Sequence, residues 1–117
     1  MEVQIFGVRH HANVRKALRF FSERRVKSHF VDFAIRGPSP GELRRFAERF
    51  GAEALIDRSS KRFVALGLGA ARYGTDKWLQ VLVDEPALLT LPLTRCGTKL
   101  AIGHTPDVWT QWVAGGK

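Results

Sequence analysis

Four histidines and one cysteine are the side chains of this sequence that best suit metal binding or nucleophilic chemistry. They are His10, His11, His29, His104 and Cys96. Adjacent histidines usually project in different directions, and no cysteine or acidic residue recurs near them at the spacing of metal ligands. We therefore expect no metal site. A single cysteine also excludes a disulfide framework and any redox pair of cysteines within the chain.

The net charge of the sequence is strongly positive and unevenly distributed. Lysine and arginine total 19 against 11 acidic residues, which gives a formal net charge of +8 over 117 residues. Residues 1–63 hold 14 of these bases and 7 of the acids, so the first half carries nearly all of the excess. The excess favours an anionic partner, although solubility alone would explain the same charge.

The composition is that of one ordinary folded domain. Hydrophobic residues make up 44% and charged residues 26% of the chain, which excludes a disordered tail. No apolar run approaches the roughly 20 residues that cross a bilayer. The first residues lack the basic and then apolar order of a signal peptide, so we expect a cytoplasmic protein that does not bind membranes.

The elements that must position these side chains begin with a strand, a helix and a strand. Residues 3–6 predict a strand, and Asn13 is a candidate cap for a helix that runs to about Arg24. Alternation over residues 29–33 predicts a second strand. Such a βαβ unit is nearly always right-handed.

The middle of the chain predicts only helices. Ser39 and Glu42 form a predicted capping box around Pro40, and the helix they open would bury Leu43, Phe46 and Phe50 and end at Gly51. Further helical stretches are predicted over about 60–66, from a Thr75 cap onward, and as a short turn to Leu89.

The last part of the chain predicts a strand over 91–94, a turn at 96–98, a strand over 99–102 and a helix opened by Thr105 and Pro106. The whole is an α/β fold with a mixed sheet. It is a thioredoxin-like βαβ plus ββα arrangement with four strands and an all-helical insertion over about 37–89, in one domain of residues 1–117. The tryptophans fall at core-facing helical positions and not on a platform for stacking bases (Trp78, Trp109, Trp112).

Four stretches of the chain share their order and spacing with a known family. They are Ile5–Gly7 followed by residues 14–17, the capped helix 39–51, the run 54–68, and residues 91–93 with 97–100. On these stretches the chain resembles the arsenate reductases of the glutaredoxin-linked type (ArsC) and their Spx-like relatives, whose fold is thioredoxin-like.

The resemblance implies a nucleophilic cysteine at the start of the first helix, four residues before Arg15, and His11 stands there instead. Helix amides would stabilise a thiolate at that point. Histidine cannot replace it, because attack on arsenate followed by disulfide exchange requires sulfur. Two family arginines are also missing, since their positions fall on Asp57, with Arg58 one place later, and on Leu91.

The resemblance further implies that Pro92 is a cis-proline that faces the site, whereas the residues alone would favour a trans proline that starts an edge strand. Glutathione could pair with the backbone of Leu91 and its neighbours, with Arg15 holding a carboxylate. Alternatively, a small anion could be held by the loop and the first helix amides (His10, His11, Asn13, Arg15). Cys96 would be a catalytic thiol on the same edge as the helix start, or an unreactive cysteine in a loop.

Two functions follow from the resemblance. The first is a catalytically degenerate member that serves as a binding or regulatory module for a protein partner. Spx-like relatives contact the C-terminal domain of the RNA polymerase α subunit through a stretch that Gly51, Arg58, Ser59 and Lys61 resemble here. Basic helices would steer an acidic protein or a nucleic acid, or simply face solvent. The alternative is an arsenate reductase-like oxidoreductase that uses glutathione bound beside the cis-proline.

Overall fold

The computed structural model describes residues 1–116 and divides into two compact units. Residues 1–36 together with the segment from Leu91 onward form one unit, which we call the sheet unit. The second unit, Gly37–Thr90, consists of helices and turns with one isolated β-bridge, between Ile56 and Leu89, and is called the helical unit. The single domain over 1–117 stays a prediction.

Residues 1–116 form four strands and five α-helices, joined by turns and short 3₁₀ segments. In chain order they are β1 (Glu2–Gly7), α1 (Ala12–Glu23), β2 (Lys27–Asp32), α2 (Pro40–Phe50), α3 (Lys61–Ala65), α4 (Thr75–Asp84), β3 (Leu93–Cys96), β4 (Lys99–Ile102) and α5 (Pro106–Gly115). Within this part of the chain, no helix is long and apolar enough to span a membrane.

The four strands form one mixed sheet in the order β2-β1-β3-β4. Strands β1 and β2 are parallel, with Ile5 beside Phe30, as expected when a helix connects them. Strand β3 runs antiparallel to β1, with Leu93 beside Phe6, and forms a hairpin with β4. The predicted mixed sheet and its βαβ and ββα halves are therefore confirmed.

The core of the sheet unit is largely aromatic. Its buried cluster consists of Val3, Ile5, Ala17, Phe21, Ala101, Trp109 and Trp112. The indole N–H of Trp109 donates to Thr94 Oγ1 at 3.1 Å, and the Thr94 hydroxyl donates to the Ala101 carbonyl at 3.4 Å. The polar atoms of these fully buried side chains are thus satisfied, as burial requires. Trp78 is likewise buried in the helical unit, so the core assignment of all three tryptophans is confirmed.

Helix α2 begins and ends as its sequence predicts. The Glu42 N–H donates to Ser39 Oγ, and Glu42 Oε1 accepts from the Ser39 N–H, both at 3.1 Å. The helix ends at Gly51, whose φ of 85° suits glycine. Phe50, however, is 42% exposed and does not join the buried face; Ala47 does, because Phe50 is the last helical residue before the chain turns.

Two predicted helix caps, Asn13 and Thr75, are wrong, and a third, Thr105, is correct in position only. His11 caps α1 in place of Asn13, and Gly74 precedes α4, so Thr75 is already helical. Thr105 occupies the cap position of α5, but its hydroxyl makes no capping bond and is buried without a hydrogen-bond partner. The strand predicted over 29–33 is displaced to Lys27–Asp32, which extends its pairing with β1 from Glu2 to Gly7.

Candidate functional site

The turn between β1 and α1 makes His11 the N-cap of the helix. Its backbone N–H donates to the Val8 carbonyl at 3.2 Å, and its carbonyl accepts from the Arg15 N–H at 3.0 Å. Its side-chain Nδ1 accepts from the Asn13 N–H at 3.2 Å. The imidazole thus performs the acceptor role that serine or aspartate usually has at a cap.

Gly7 allows α1 to lie close to the end of β1. A Cβ at this position would stand 2.5 Å from a methyl carbon of Val14. Val14 is fully buried, so its short branched side chain has little room to move. The Gly7 carbonyl also accepts from the Phe33 N–H at 2.8 Å, next to the end of β2. The position of the helix start therefore depends on the missing side chain at residue 7.

The start of α1 has a positive electrostatic environment. Its first turn contains no acidic residue, and exposed Arg15 and Lys16 follow at once. Neither of these side chains makes an ion pair within residues 1–116. The first amides of a helix carry the positive end of its dipole, so both contributions favour an anion here.

The Leu91–Pro92 peptide bond is cis, which confirms the expectation drawn from the family. Strand β3 begins beside Phe6, near the point where β1 ends, so Pro92 lies at the same end of the sheet as the start of α1. Both Leu91 and Pro92 are buried. The Pro92 carbonyl accepts from the Gly103 N–H at 2.8 Å, whereas the backbone of Leu91 makes no hydrogen bond within the described chain.

The fold therefore brings the predicted anion or ligand residues to one end of the sheet. Those residues are His10, His11, Asn13, Arg15, Leu91 and Pro92. His10 and Arg15 are exposed, and His11 and Asn13 are half-buried. The side chains of His10 and Arg15 are thus accessible to a ligand, whereas Leu91 and Pro92 are buried in this structure.

Cys96 does not belong to this group. It is the last residue of β3, where it pairs with Lys99. Because β3 runs antiparallel to β1, its last residue lies at the opposite end of the sheet from the start of α1. Its side chain is half-buried against the aromatic core cluster. The expectation that Cys96 shares an edge with the helix start is wrong, and so is its assignment to a loop.

The predicted partner-binding residues lie in the helical unit, between α2 and α3. Gly51 ends α2, and Lys61 is the exposed first residue of α3. Arg58 donates to Glu53 Oε1 at 2.6 Å, and its guanidinium lies over the Phe63 ring at 5.5 Å from the centroid. This ion pair fixes Arg58 near the residues that follow Gly51.

Asp57, which stands where the resemblance implies an arginine, organises the turn before α3. Its Oδ1 accepts from the Ser59 N–H at 3.0 Å and from the Ser59 hydroxyl at 2.6 Å. Ser60 then caps α3 by accepting from the Phe63 N–H. The signal for this turn, an aspartate two residues before a serine, is local and can be read from the sequence.

The remaining histidines do not form a metal centre with the first two. His29 is exposed on β2, and His104 is exposed with its ring edge against Trp109 at 5.6 Å between centroids. Across residues 1–116 no three histidine, cysteine or acidic side chains are grouped closely enough to hold a metal ion.

The comparisons with known proteins agree with this architecture. The model of the ArsC family matches residues 6–112. The chain therefore belongs to the ArsC family. No curated protein is similar to the sequence at a significant level.

Solved structures share the fold at low sequence identity. The YffB protein superposes with a TM-score of 0.87 at 21% identity, over 93% of this chain and 96% of that one. The arsenate reductase from Vibrio cholerae gives 0.83 at 19% identity, over 95% and 97%. An arsenate reductase (ArsC) related protein from Brucella melitensis gives 0.73 at 20% identity, over 96% and 94%. These likenesses establish the thioredoxin-like fold.

Proposed function

We propose that this ArsC-family protein is catalytically degenerate and acts as a binding or regulatory module for a protein partner. The observation that carries the proposal is the use of His11 as a helix cap at the position where the family mechanism needs a thiolate. Imidazole cannot form the sulfur–arsenic and mixed-disulfide intermediates of that mechanism. The chain's one thiol, Cys96, stands at the other end of the sheet, where it cannot attack an oxyanion held at α1.

The start of α1 would then bind an anion reversibly. Helix amides, the imidazole of His10 and the guanidinium of Arg15 supply donors and positive charge. No bond to the anion needs to form or break. Such a site suits a phosphate-like or carboxylate group that a cytoplasmic partner presents.

The partner surface that we propose in the helical unit contains Gly51, Arg58, Ser59 and Lys61. Its support is the family resemblance of this stretch and the exposure of Arg58, Ser59 and Lys61. The RNA polymerase α subunit is the candidate partner. A nucleic acid is the weaker candidate, since three of the six arginines of this unit are engaged in ion pairs (Arg44 with Asp76, Arg58 with Glu53, Arg62 with Glu85).

A second function is favoured by one specific observation, the unpaired backbone of Leu91 beside the cis peptide bond. In this alternative a glutathione backbone pairs with Leu91 and the glutathione thiol supplies the sulfur that the chain lacks. The protein would then be a glutathione-dependent arsenate reductase-like enzyme.

An arsenate reductase assay with glutathione and glutaredoxin distinguishes the two functions. We expect the native protein to give the uncatalysed rate, and the matched Cys96→Ser variant to give the same rate. A His11→Cys variant tests whether the rest of the site still supports the family chemistry. Activity of the native protein above background would overturn the proposal.

Titration with glutathione, followed by amide shifts near residues 11 and 92, tests the alternative, which fails if no shift occurs below millimolar glutathione.

The partner surface requires a separate binding test. The purified C-terminal domain of the RNA polymerase α subunit should be retained by the native protein at low salt and released at high salt. Arg58→Ala should abolish retention. Arg45→Ala, which removes another exposed arginine of the helical unit, should not. Failure of the native protein to retain the domain at low salt would remove this partner.

A further inference from the structure

Strand β2 is an edge of the sheet and has unused backbone hydrogen-bonding groups. It pairs with β1 on one side, and no other strand of the described chain lies on its second side. The Phe33 N–H donates to the Gly7 carbonyl. Alternate residues of a parallel strand face the same neighbour, so Val31 and His29 also point their backbone groups toward β1. Ser28 and Phe30 therefore point theirs outward, and neither has a backbone hydrogen bond from outside the sheet.

An open cavity of about 310 Å³ lies along this edge. Its lining residues are Arg9, His29, Phe30, Val31, Asp32, Ile35 and Arg36. The guanidinium of Arg9 lies over the Phe30 ring at 4.7 Å from the centroid, which places a cation directly above an apolar surface. Ile35 is 86% exposed, the highest value among the large apolar side chains. We call this edge and cavity the β2 edge groove.

The charge of the β2 edge groove indicates what kind of ligand it fits. Two arginines, Arg9 and Arg36, line it together with the imidazole of His29, while Lys27 at the start of the strand pairs with Glu2 at 3.9 Å. Its one acidic residue, Asp32, already accepts from the Ala34 N–H at 2.9 Å. The groove thus presents two guanidinium groups, three apolar side chains and the outward backbone groups of Ser28 and Phe30. An extended acidic segment with interspersed apolar side chains is complementary to all three.

We propose that the β2 edge groove binds an extended acidic peptide segment of another protein, which adds to the sheet as a strand beside β2. A second copy of this chain is the less suitable occupant, because pairing two such edges would bring like charges together. The proposal concerns a different surface from the start of α1 and the stretch 51–61. It holds whether or not the protein reduces arsenate.

The test uses the intact protein and a labelled twelve-residue peptide in which glutamate alternates with valine. We expect saturable binding, chemical-shift changes at the Ser28 and Phe30 amides, and slower hydrogen exchange at both when the peptide is present. A peptide with lysine in place of glutamate should not bind. Ser28→Pro removes one outward N–H without removing a bond to β1 and should weaken binding about tenfold. The matched Ser28→Ala keeps the N–H and should bind as the native protein does.

Several outcomes would overturn the proposal. The first is no binding at millimolar peptide, and the second is chemical-shift changes confined to the basic face of α1. The third is native affinity in a folded Ser28→Pro variant. The fourth is protection of the Ser28 and Phe30 amides by higher protein concentration alone, which would identify a second copy as the occupant. If Ser28→Pro does not fold, hydrogen exchange of the Ser28 and Phe30 amides is compared in the native protein with and without peptide. Slower exchange with peptide supports the proposal, and unchanged exchange overturns it.

Discussion

Helices α1 and α2 begin in opposite ways, although both follow a turn at the surface. Helix α2 opens with a complete capping box, so a carboxylate of its own sequence already lies at its first amides. Helix α1 opens with an imidazole, contains no acid in its first turn, and continues with two exposed cations. A carboxylate at a helix start competes with any bound anion, and only α2 has one.

The same difference extends to the two units. Residues 37–90 hold 8 bases and 7 acids, and three ion pairs join Arg44 to Asp76, Arg58 to Glu53 and Arg62 to Glu85. The sheet unit holds 11 bases and 4 acids, a net charge of +7. The positive field of the protein therefore belongs to the sheet unit, where α1 and β2 are.

The largest difference in stability between the two helix starts should appear when the glycine near each is replaced by alanine. Gly7→Ala forces Val14 away from the end of β1, and we expect the free energy of unfolding to fall by about 1–3 kcal/mol. Gly41→Ala is the matched change in the first turn of α2, where a Cβ meets nothing within 4 Å. It should be neutral or stabilising by up to about 1 kcal/mol. Urea denaturation measures both.

A second substitution tests whether steric contact is the cause. Val14→Ala in the Gly7→Ala background removes the methyl groups that the new Cβ would meet. The double variant should lose less stability than the two single changes added together. Strict additivity would show that the close approach of α1 to β1 is not what Gly7 provides.

Aspartate at the two caps should have a smaller effect. His11→Asp replaces the imidazole cap with a carboxylate at a helix start that has no acidic residue, so we expect a gain of about 0.5–1 kcal/mol in unfolding free energy and weaker binding of phosphate at α1. Ser39→Asp makes the same change beside Glu42, where a carboxylate is already present. It should bring no gain. Equal gains in unfolding free energy at both caps would show that the start of α1 does not carry more uncompensated positive charge than the start of α2.

The smallest effect concerns acid pH and the pair at the end of α4. Hydrogen bonds from Arg62 to Glu85, at 2.8 and 2.7 Å, lower the pKa of Glu85 below its ordinary value of 4.5. They outweigh the opposing effect of burial, and the charge of Arg62 adds a smaller lowering. A lowered pKa contributes stability above about pH 4.5, and this contribution is lost as the pH falls through the folded-state value.

Glu85→Gln should therefore reduce stability slightly at pH 7 and should match the native protein at strongly acid pH. Glu48→Gln, at an exposed position without an ion pair within residues 1–116, should follow the native protein at every pH. A constant difference between native and Glu85→Gln across the titration would show that the pair contributes nothing through its charge.

The sequence predicted elements better than it predicted contacts. The capping box at Ser39 and the turn at Gly51 are local signals, written in neighbouring residues, and both proved correct. His11 as a cap was missed because histidine rarely has that role, and the structure alone shows which ring nitrogen accepts. The position of Cys96 depends on the direction of β3 relative to β1, which is a long-range property of the sheet.

The site itself was predictable only through the family. Nothing local distinguishes a cis from a trans bond at Leu91–Pro92. The β2 edge groove was not predicted either, because it requires knowing that β2 is the outermost strand and that Arg9 reaches Phe30. The outermost position of β2 depends on the strand order, and the contact of Arg9 with Phe30 joins residues that are distant in the chain.

The burial of Trp109 has an optical consequence. Its ring is fully buried, is bordered by Phe20 and Phe21, and donates its N–H to Thr94. Indole emission shifts to longer wavelength when water reaches the ring. The emission of Trp109 therefore reports whether the core of the sheet unit stays folded and excludes water. Trp78, buried in the helical unit, supplies a second such fluorophore. A Trp78→Phe variant would leave the emission of the sheet unit to be read by itself, without any added label.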